Sequence, residues 1–189
     1  MTPEKAEEGK RIAMTASTTD VRKFEIVHDI KVKTYDIDFA GHVSNITYLR
    51  WFEDMRLKIF DQFFPLELFM NDGLLPIITE SRVVYKKSVG LFDLPRGHMW
   101  IAGRGPASFQ FEGELLVDGE ITTRSWFTGL FIGKETMKPV RMPKLIIEKE
   151  KELMVDSNLV LGRDQKQVLI HLSPWDHLMK NYLRRYLRH

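Results

Sequence analysis

Cysteine is absent from this 189-residue chain, which excludes disulfides, thiolate metal sites and a cysteine nucleophile. Any covalent chemistry must use oxygen or nitrogen. An excess of one charge is missing too: 28 Lys and Arg against 26 Asp and Glu leave a formal charge of +2, too small for a nucleic-acid footprint. The sequence pI of 8.7 still permits attraction to phosphate-bearing ligands. Long apolar runs are lacking at the start, where MTPEKAEEGKRIAMTASTTD mixes charges with small polar residues. No signal peptide or transmembrane segment is visible there, and a cytoplasmic protein with a flexible tail over residues 1–22 is expected.

What is present is a globular balance, 43% hydrophobic and 29% charged residues, in a chain long enough for one domain with a real core. From Phe24 to Tyr35, FEIVHDIKVKTY is rich in β-branched and aromatic residues and predicts a first strand. After Gly41 the period changes. Tyr48, Leu49, Phe52, Met55, Ile59, Phe60 and Phe63 recur every three or four residues up to Pro65, the spacing of a helix of about five turns. Apolar residues occupy much of its circumference, so a sheet is expected to wrap it.

Asn71-Asp72-Gly73 marks a turn within a loop or short helix. Strands are expected at Ile77 to Tyr85 and His98 to Arg104. The clearest local signal follows: Phe109, Phe111, Gly113, Leu115 and Val117 alternate up to Asp118-Gly119, before a second run from Ile121 to Ile132. Asp-Gly suits a two-residue type I′ turn, so a long β-hairpin is predicted. Lys144 to Met154 reads as a short helix, Asp156 to Asp164 as a polar connector and Val168 to Leu172 as a brief strand. Ser173 and Pro174 open a last amphipathic helix with the stripe Trp175, Leu178, Met179, Tyr182, Leu183, Tyr186 and Leu187. The expected class is α+β, an antiparallel sheet around one long helix, with an extra C-terminal helix. The domain is expected over residues 23–154 and an extension over 155–189.

Asp38, Gly41, His42, Ser44 and Asn45 crowd the junction between first strand and helix. A helix N-terminus offers unpaired backbone N–H groups and a positive dipole end, where a developing oxyanion is stabilised. Gly41 lets backbone approach a ligand or take positive φ, and Asp38 can present a carboxylate opposite those amides. The simpler use of Asp38 is as a turn residue.

The run from Tyr35 to Glu53, YDIDFAGHVSNITYLRWFE, resembles the hotdog-fold acyl-CoA thioesterases of the 4-hydroxybenzoyl-CoA thioesterase class, whose motif is approximately D-x-D-x-x-G-H-V-N-N-x-x-Y-L. The resemblance continues at Tyr85-Lys86-Lys87-Ser88-Val89-Gly90 and through the hairpin to Val140-Arg141-Met142-Pro143. It implies that Asp38 is the catalytic carboxylate, as nucleophile or general base, and that backbone N–H groups of Gly41 and His42 polarise the thioester carbonyl. His42 and Asn45 take supporting catalytic roles, and Ser44, in place of the first Asn, can still cap the helix. Tyr48 and Phe52 are implied in substrate binding, and Lys86 and Lys87 stand where CoA phosphates can be met. Phe52, Phe60 and Phe63 suit an acyl tunnel and core packing equally well.

Glu53 is the reserve carboxylate, because another hotdog subgroup places its catalytic carboxylate on the helix; with Arg56, three residues on, it also forms an ordinary ion pair. Plant acyl-carrier-protein thioesterases have Asn two residues after the aspartate and use a later cysteine region; here Ala40 takes that position and cysteine is absent. The resemblance implies no cofactor and a homodimer or homotetramer acting on acyl-CoA. The histidines have no metal-ligand spacing on a helix, so no metal is expected. Hydrolysis of acyl-carrier-protein thioesters and acyl-CoA binding without turnover are the alternatives.

Overall fold

The computed structural model describes residues 22–160, with side chains through residue 153. The chain divides into two compact units, Met1–Lys151 and Glu152–His189, and the account below concerns the first. The expected strand at Val168 to Leu172 and the helix from Ser173 lie outside the described residues.

Five strands, β1 (Lys23–Asp29), β2 (Leu74–Tyr85), β3 (Arg96–Arg104), β4 (Ser108–Val117) and β5 (Glu120–Gly133), form one sheet in the order β1-β3-β4-β5-β2. Every pairing is antiparallel. The hairpin of β4 and β5 turns at Asp118 and Gly119, whose φ values of 51° and 79° are those a type I′ turn requires. β2 is twelve residues long and pairs only with β5 among the described strands, so its other edge is open.

Helix α1 (Asn45–Phe63) lies on the inner face of this sheet. Tyr48, Phe52, Met55 and Ile59 descend one side of it, 2% exposed or less. The sheet makes room with glycines: a Cβ on Gly97 would meet Met55 Sδ at 2.4 Å, and one on Gly113 would meet Phe52 at 3.0 Å. Full burial of such a side chain contributes about 1.5–3 kcal/mol. The helix starts over β2, where Tyr48 stacks edge-on against Tyr85 at 5.0 Å, and ends over β1, where Phe63 meets Phe24 at 5.3 Å. A short helix α2 (Leu66–Asn71) follows, and α3 (Lys144–Val160) closes the described chain.

Two segments differ from the sequence expectation. β1 ends at Asp29 rather than Tyr35, and residues 34–36 form a 3-10 turn. The Asp36 carboxylate accepts the Lys33 N–H at 2.8 Å, and this local bond competes with strand geometry. The first part of the expected connector, from Asp156 to Val160, continues α3. Asp156, Ser157 and Asn158 are weak helix breakers that an established helix can carry through.

Candidate active site

The Asp38 region is a miniature hairpin. Ile37 and Val43 form an isolated antiparallel bridge, the Asp38 N–H donates to the His42 carbonyl at 2.9 Å, and the Ser44 N–H donates to the Asp36 carbonyl at 2.8 Å. Between these rungs the chain reverses, with the Gly41 N–H donating to the Asp38 carbonyl at 3.1 Å and Gly41 at φ 78°. An L side chain is disfavoured at that angle, although a Cβ there would meet nothing within 4 Å. The glycine is required by backbone conformation alone.

Asp38 is half-buried at the mouth of this turn. Its Oδ1 accepts the Ala40 N–H at 2.8 Å, while Oδ2 has no hydrogen-bond partner among the described residues. The bond from Ala40 orients the carboxylate through one oxygen and leaves the other open. Three residues beyond Gly41 the helix begins, with Ser44 in the N-cap position by its extended φ and ψ. Its side chain makes no cap hydrogen bond, contrary to the capping expected from the sequence; with ψ at 142° the residue instead gives its carbonyl to the Thr47 N–H at 2.9 Å. No cap side chain therefore occupies the N-terminal amides of α1. A carboxylate oxygen and the positive end of a nineteen-residue helix thus belong to one eight-residue stretch, Asp38 to Asn45.

The hairpin is tied to the body at two points. The Val43 N–H donates to the Val89 carbonyl at 2.8 Å, joining the turn to the loop after β2. Tyr85, the last residue of β2, donates its hydroxyl to the Asn45 carbonyl at 3.4 Å. Tyr48 lies beneath Tyr85, and burial pushes its hydroxyl pKa up. The Val89 backbone opposes this, whereas Tyr85 and the carboxylates of Asp93 and Asp38 add to it.

The other expected residues fall into two groups. His42 and Asn45 are exposed beside Asp38, whereas Phe52 is wholly buried and packs on Phe127 at 5.7 Å. Phe60 contacts Phe69 and Phe111 at 6.2 Å each, and Phe63 contacts Phe24 and Phe64. Lys86 is exposed, while Lys87 pairs with Glu120 across the sheet. Glu53 bonds Arg56 at 3.0 Å, the ion pair expected from their spacing. Sequence reasoning missed Asp36 and Tyr85 as supports of the site. The first aspartate of the D-x-D pattern was a signal for Asp36; Tyr85 opened the second resembling stretch, but its contact with the helix start depends on strand order, which the stretch does not state. Among the described residues no group of three or more His, Asp or Glu is placed to hold a metal ion.

Comparison with known proteins agrees with this architecture. Among solved structures, a DHNA-CoA thioesterase from Staphylococcus aureus superposes with a TM-score of 0.64 at 20% identity, over 73% of this chain and 96% of that one. A 1,4-dihydroxy-2-naphthoyl-CoA thioesterase from Synechocystis gives 0.63 at 13% identity, over 69% and 98%. A hypothetical protein from Staphylococcus aureus, solved in complex with CoA, gives 0.64 at 15% identity, over 72% and 87%. At these identities the likeness establishes the fold, an antiparallel sheet wrapped on a long helix. No curated protein sequence matches the chain significantly. The pattern of the thioesterase-like superfamily matches residues 32–149, which span the Asp38 hairpin, α1 and the whole sheet after β1. The chain is a hotdog-fold member of the thioesterase-like superfamily.

Proposed function

We propose that this protein hydrolyses acyl-CoA to the free acid and CoA, with Asp38 as its catalytic carboxylate. The observation that carries this reading is the hairpin: it holds one Asp38 oxygen and leaves the other free, directly ahead of a helix start that no side chain caps. The backbone amides of His42 and of Asn45 and Ile46 at the start of α1 are the oxyanion donors; the Gly41 N–H, expected among them, is held by the Asp38 carbonyl. As general base, Asp38 takes a proton from water as the water oxygen attacks the acyl carbon; the C–S bond then breaks and the thiolate is protonated. As nucleophile, it attacks the acyl carbon, the C–S bond breaks to release the CoA thiolate, and water opens the resulting mixed anhydride. His42 and Asn45 line the approach, and Lys86 is the freer of the two lysines for a CoA phosphate.

Exposed apolar groups flank the carboxylate: Phe39 is 103% exposed, Tyr35 79% and Ile46 55%. Together with the open edge of β2 they favour a second copy of the chain against this face, as a homodimer or a pair of dimers. The solved relatives named for CoA thioesters, and the one holding CoA, support CoA over a carrier protein as the thiol. Thiol release from the same acyl group on CoA and on acyl-carrier protein tests this. Release from CoA at the higher kcat/KM is expected. Preference for the carrier protein overturns the CoA assignment, and tight acyl-CoA binding without release overturns the enzyme.

A further inference from the structure

We infer, on the footing of the Asp38 reading, that Asp36 is a positioning residue for the reaction: its buried carboxylate and its carbonyl together fix the base of the hairpin, and with it the place of the Asp38 carboxylate relative to the start of α1. Asp36 is only 5% exposed. A carboxylate withdrawn from water needs hydrogen bonds in return, and this one accepts the Lys33 N–H at 2.8 Å. The Asp36 N–H donates to the Lys33 carbonyl at 3.0 Å, so the two residues close the 3-10 turn from both sides. That turn stands between the end of β1 and the hairpin.

The carbonyl of the same residue accepts the Ser44 N–H at 2.8 Å and lies 3.5 Å from the hydroxyl of Thr47, which is buried in the first turn of α1. One residue thus joins the chain entering the hairpin, the chain leaving it and the helix. Asp38 has no such anchor. Its bonds, to Ala40 through the carboxylate and to Gly41 and His42 through the backbone, all stay inside the turn. They shape the hairpin without fixing where it points. Among the described residues the bond from the Val43 N–H to the Val89 carbonyl is the other backbone tie between hairpin and body. Ile37 is extended, with φ −87° and ψ 132°, so Asp38 stands roughly 7 Å beyond Asp36. A tilt of about 8° at the base then carries Asp38 by about 1 Å. Misplacement on that scale lowers a rate by as much as about 10²-fold, because the reacting groups no longer meet in register. Asp36 therefore acts through Asp38 and not on the substrate.

The test is thiol release from acyl-CoA by the full chain and its variants, together with amide hydrogen exchange. Asp36→Ala removes the acceptor of the Lys33 N–H and is expected to lower kcat about tenfold with KM unchanged within about twofold. Asp36→Asn keeps an acceptor oxygen and is expected to hold kcat within about threefold of the unaltered protein. Added to Asp38→Asn, the alanine substitution is expected to change the residual turnover by less than about twofold, because residues that act as a unit are not additive. Exchange at the Asp38, Gly41 and Ser44 amides is expected to quicken about tenfold in Asp36→Ala, while amides of the β4–β5 ladder keep their rates. If the alanine variant does not fold, Asp36→Ser, with a shorter and weaker acceptor, takes its place under the same criteria. A kcat within about twofold of the unaltered protein in Asp36→Ala overturns the inference. So does an asparagine variant no better than the alanine one, or an equal loss in the Asp38→Asn background, which marks a role in the fold alone. If Asp38→Asn by itself leaves turnover unaltered, or no thioester is hydrolysed, the Asp38 reading fails; hairpin exchange that quickens in Asp36→Ala then still supports Asp36 as the anchor, and unchanged exchange overturns it.

Discussion

Two of the tight reversals with positive φ among the described residues, at Asp118-Gly119 and at Asp38 to His42, do different work. At Asp118-Gly119 the turn joins β4 to β5, whose paired residues run from Ser108 opposite Leu130 to Val117 opposite Glu120. At Asp38 to His42 the reversal closes a single isolated bridge and leads at once into α1. The long hairpin is specified many times over by its ladder. The short one has little ladder of its own, and depends on Gly41, on the Asp38 to Ala40 bond and on its ties to Val89 and Asp36. On the proposed reading, a turn that only connects tolerates alteration at a cost in stability alone, whereas the turn that presents the Asp38 carboxylate loses turnover with it.

Substitutions in the two turns break the comparison from either side. After Asp38 itself, the largest effect is expected at Gly41→Ala, where positive φ costs about 1–2 kcal/mol and displacement of the carboxylate lowers kcat by roughly 10- to 100-fold; stopped-time thiol assays and thermal melts separate the two losses. Tyr85→Phe keeps the ring over Tyr48 but removes the bond to Asn45 at the helix start. A fall in kcat of about threefold is expected, in line with one ordinary hydrogen bond of about 0.5–1.5 kcal/mol, and steady-state kinetics checks it. Gly119→Ala carries a similar strain of about 1–2 kcal/mol in the connecting turn, so the melting temperature falls while kcat per folded molecule stays within twofold. Equal losses of turnover in the two glycine variants erase the distinction.

The smallest effect concerns acid stability away from both turns. Burial would raise the Glu150 pKa, but its bonds to Lys23 and Arg104 prevail and hold it below the usual carboxylate range. A folded-state pKa below the unfolded one contributes stability that is present above about pH 4.3 and is lost as the pH falls through the folded value. Melts from pH 7 to pH 3 are expected to show a shallower acid decline in Glu150→Gln. An identical decline removes the assignment.

Much of this was legible because local chemistry and final structure agree. Asp118-Gly119 can form its turn without help, and the spacing from Tyr48 to Phe63 needs a helix to gather its apolar residues on a face. What stayed hidden depends on partners distant in sequence. Residues 30 to 33 look strand-like, yet they leave the sheet because Asp36 captures the Lys33 amide. The order β1-β3-β4-β5-β2 places Tyr85 at the helix start, and no spacing in the chain announces that. At the site, the D-x-D-x-x-G-H pattern named Asp38 and Gly41, but not that one carboxylate oxygen is held while the other is left open. Phe52, Phe60 and Phe63 were ambiguous between tunnel and core; their ring contacts with the sheet and with neighbouring phenylalanines show core packing.

The central claim is that the Asp38 hairpin presents a carboxylate on which thioester hydrolysis depends. Asp38→Asn keeps an oxygen able to accept the Ala40 N–H and removes only the charge and basicity. The account expects unchanged melting, within a few degrees, and a fall in kcat of about 10²- to 10⁴-fold on the best acyl-CoA substrate. Turnover at the level of the unaltered protein would contradict it.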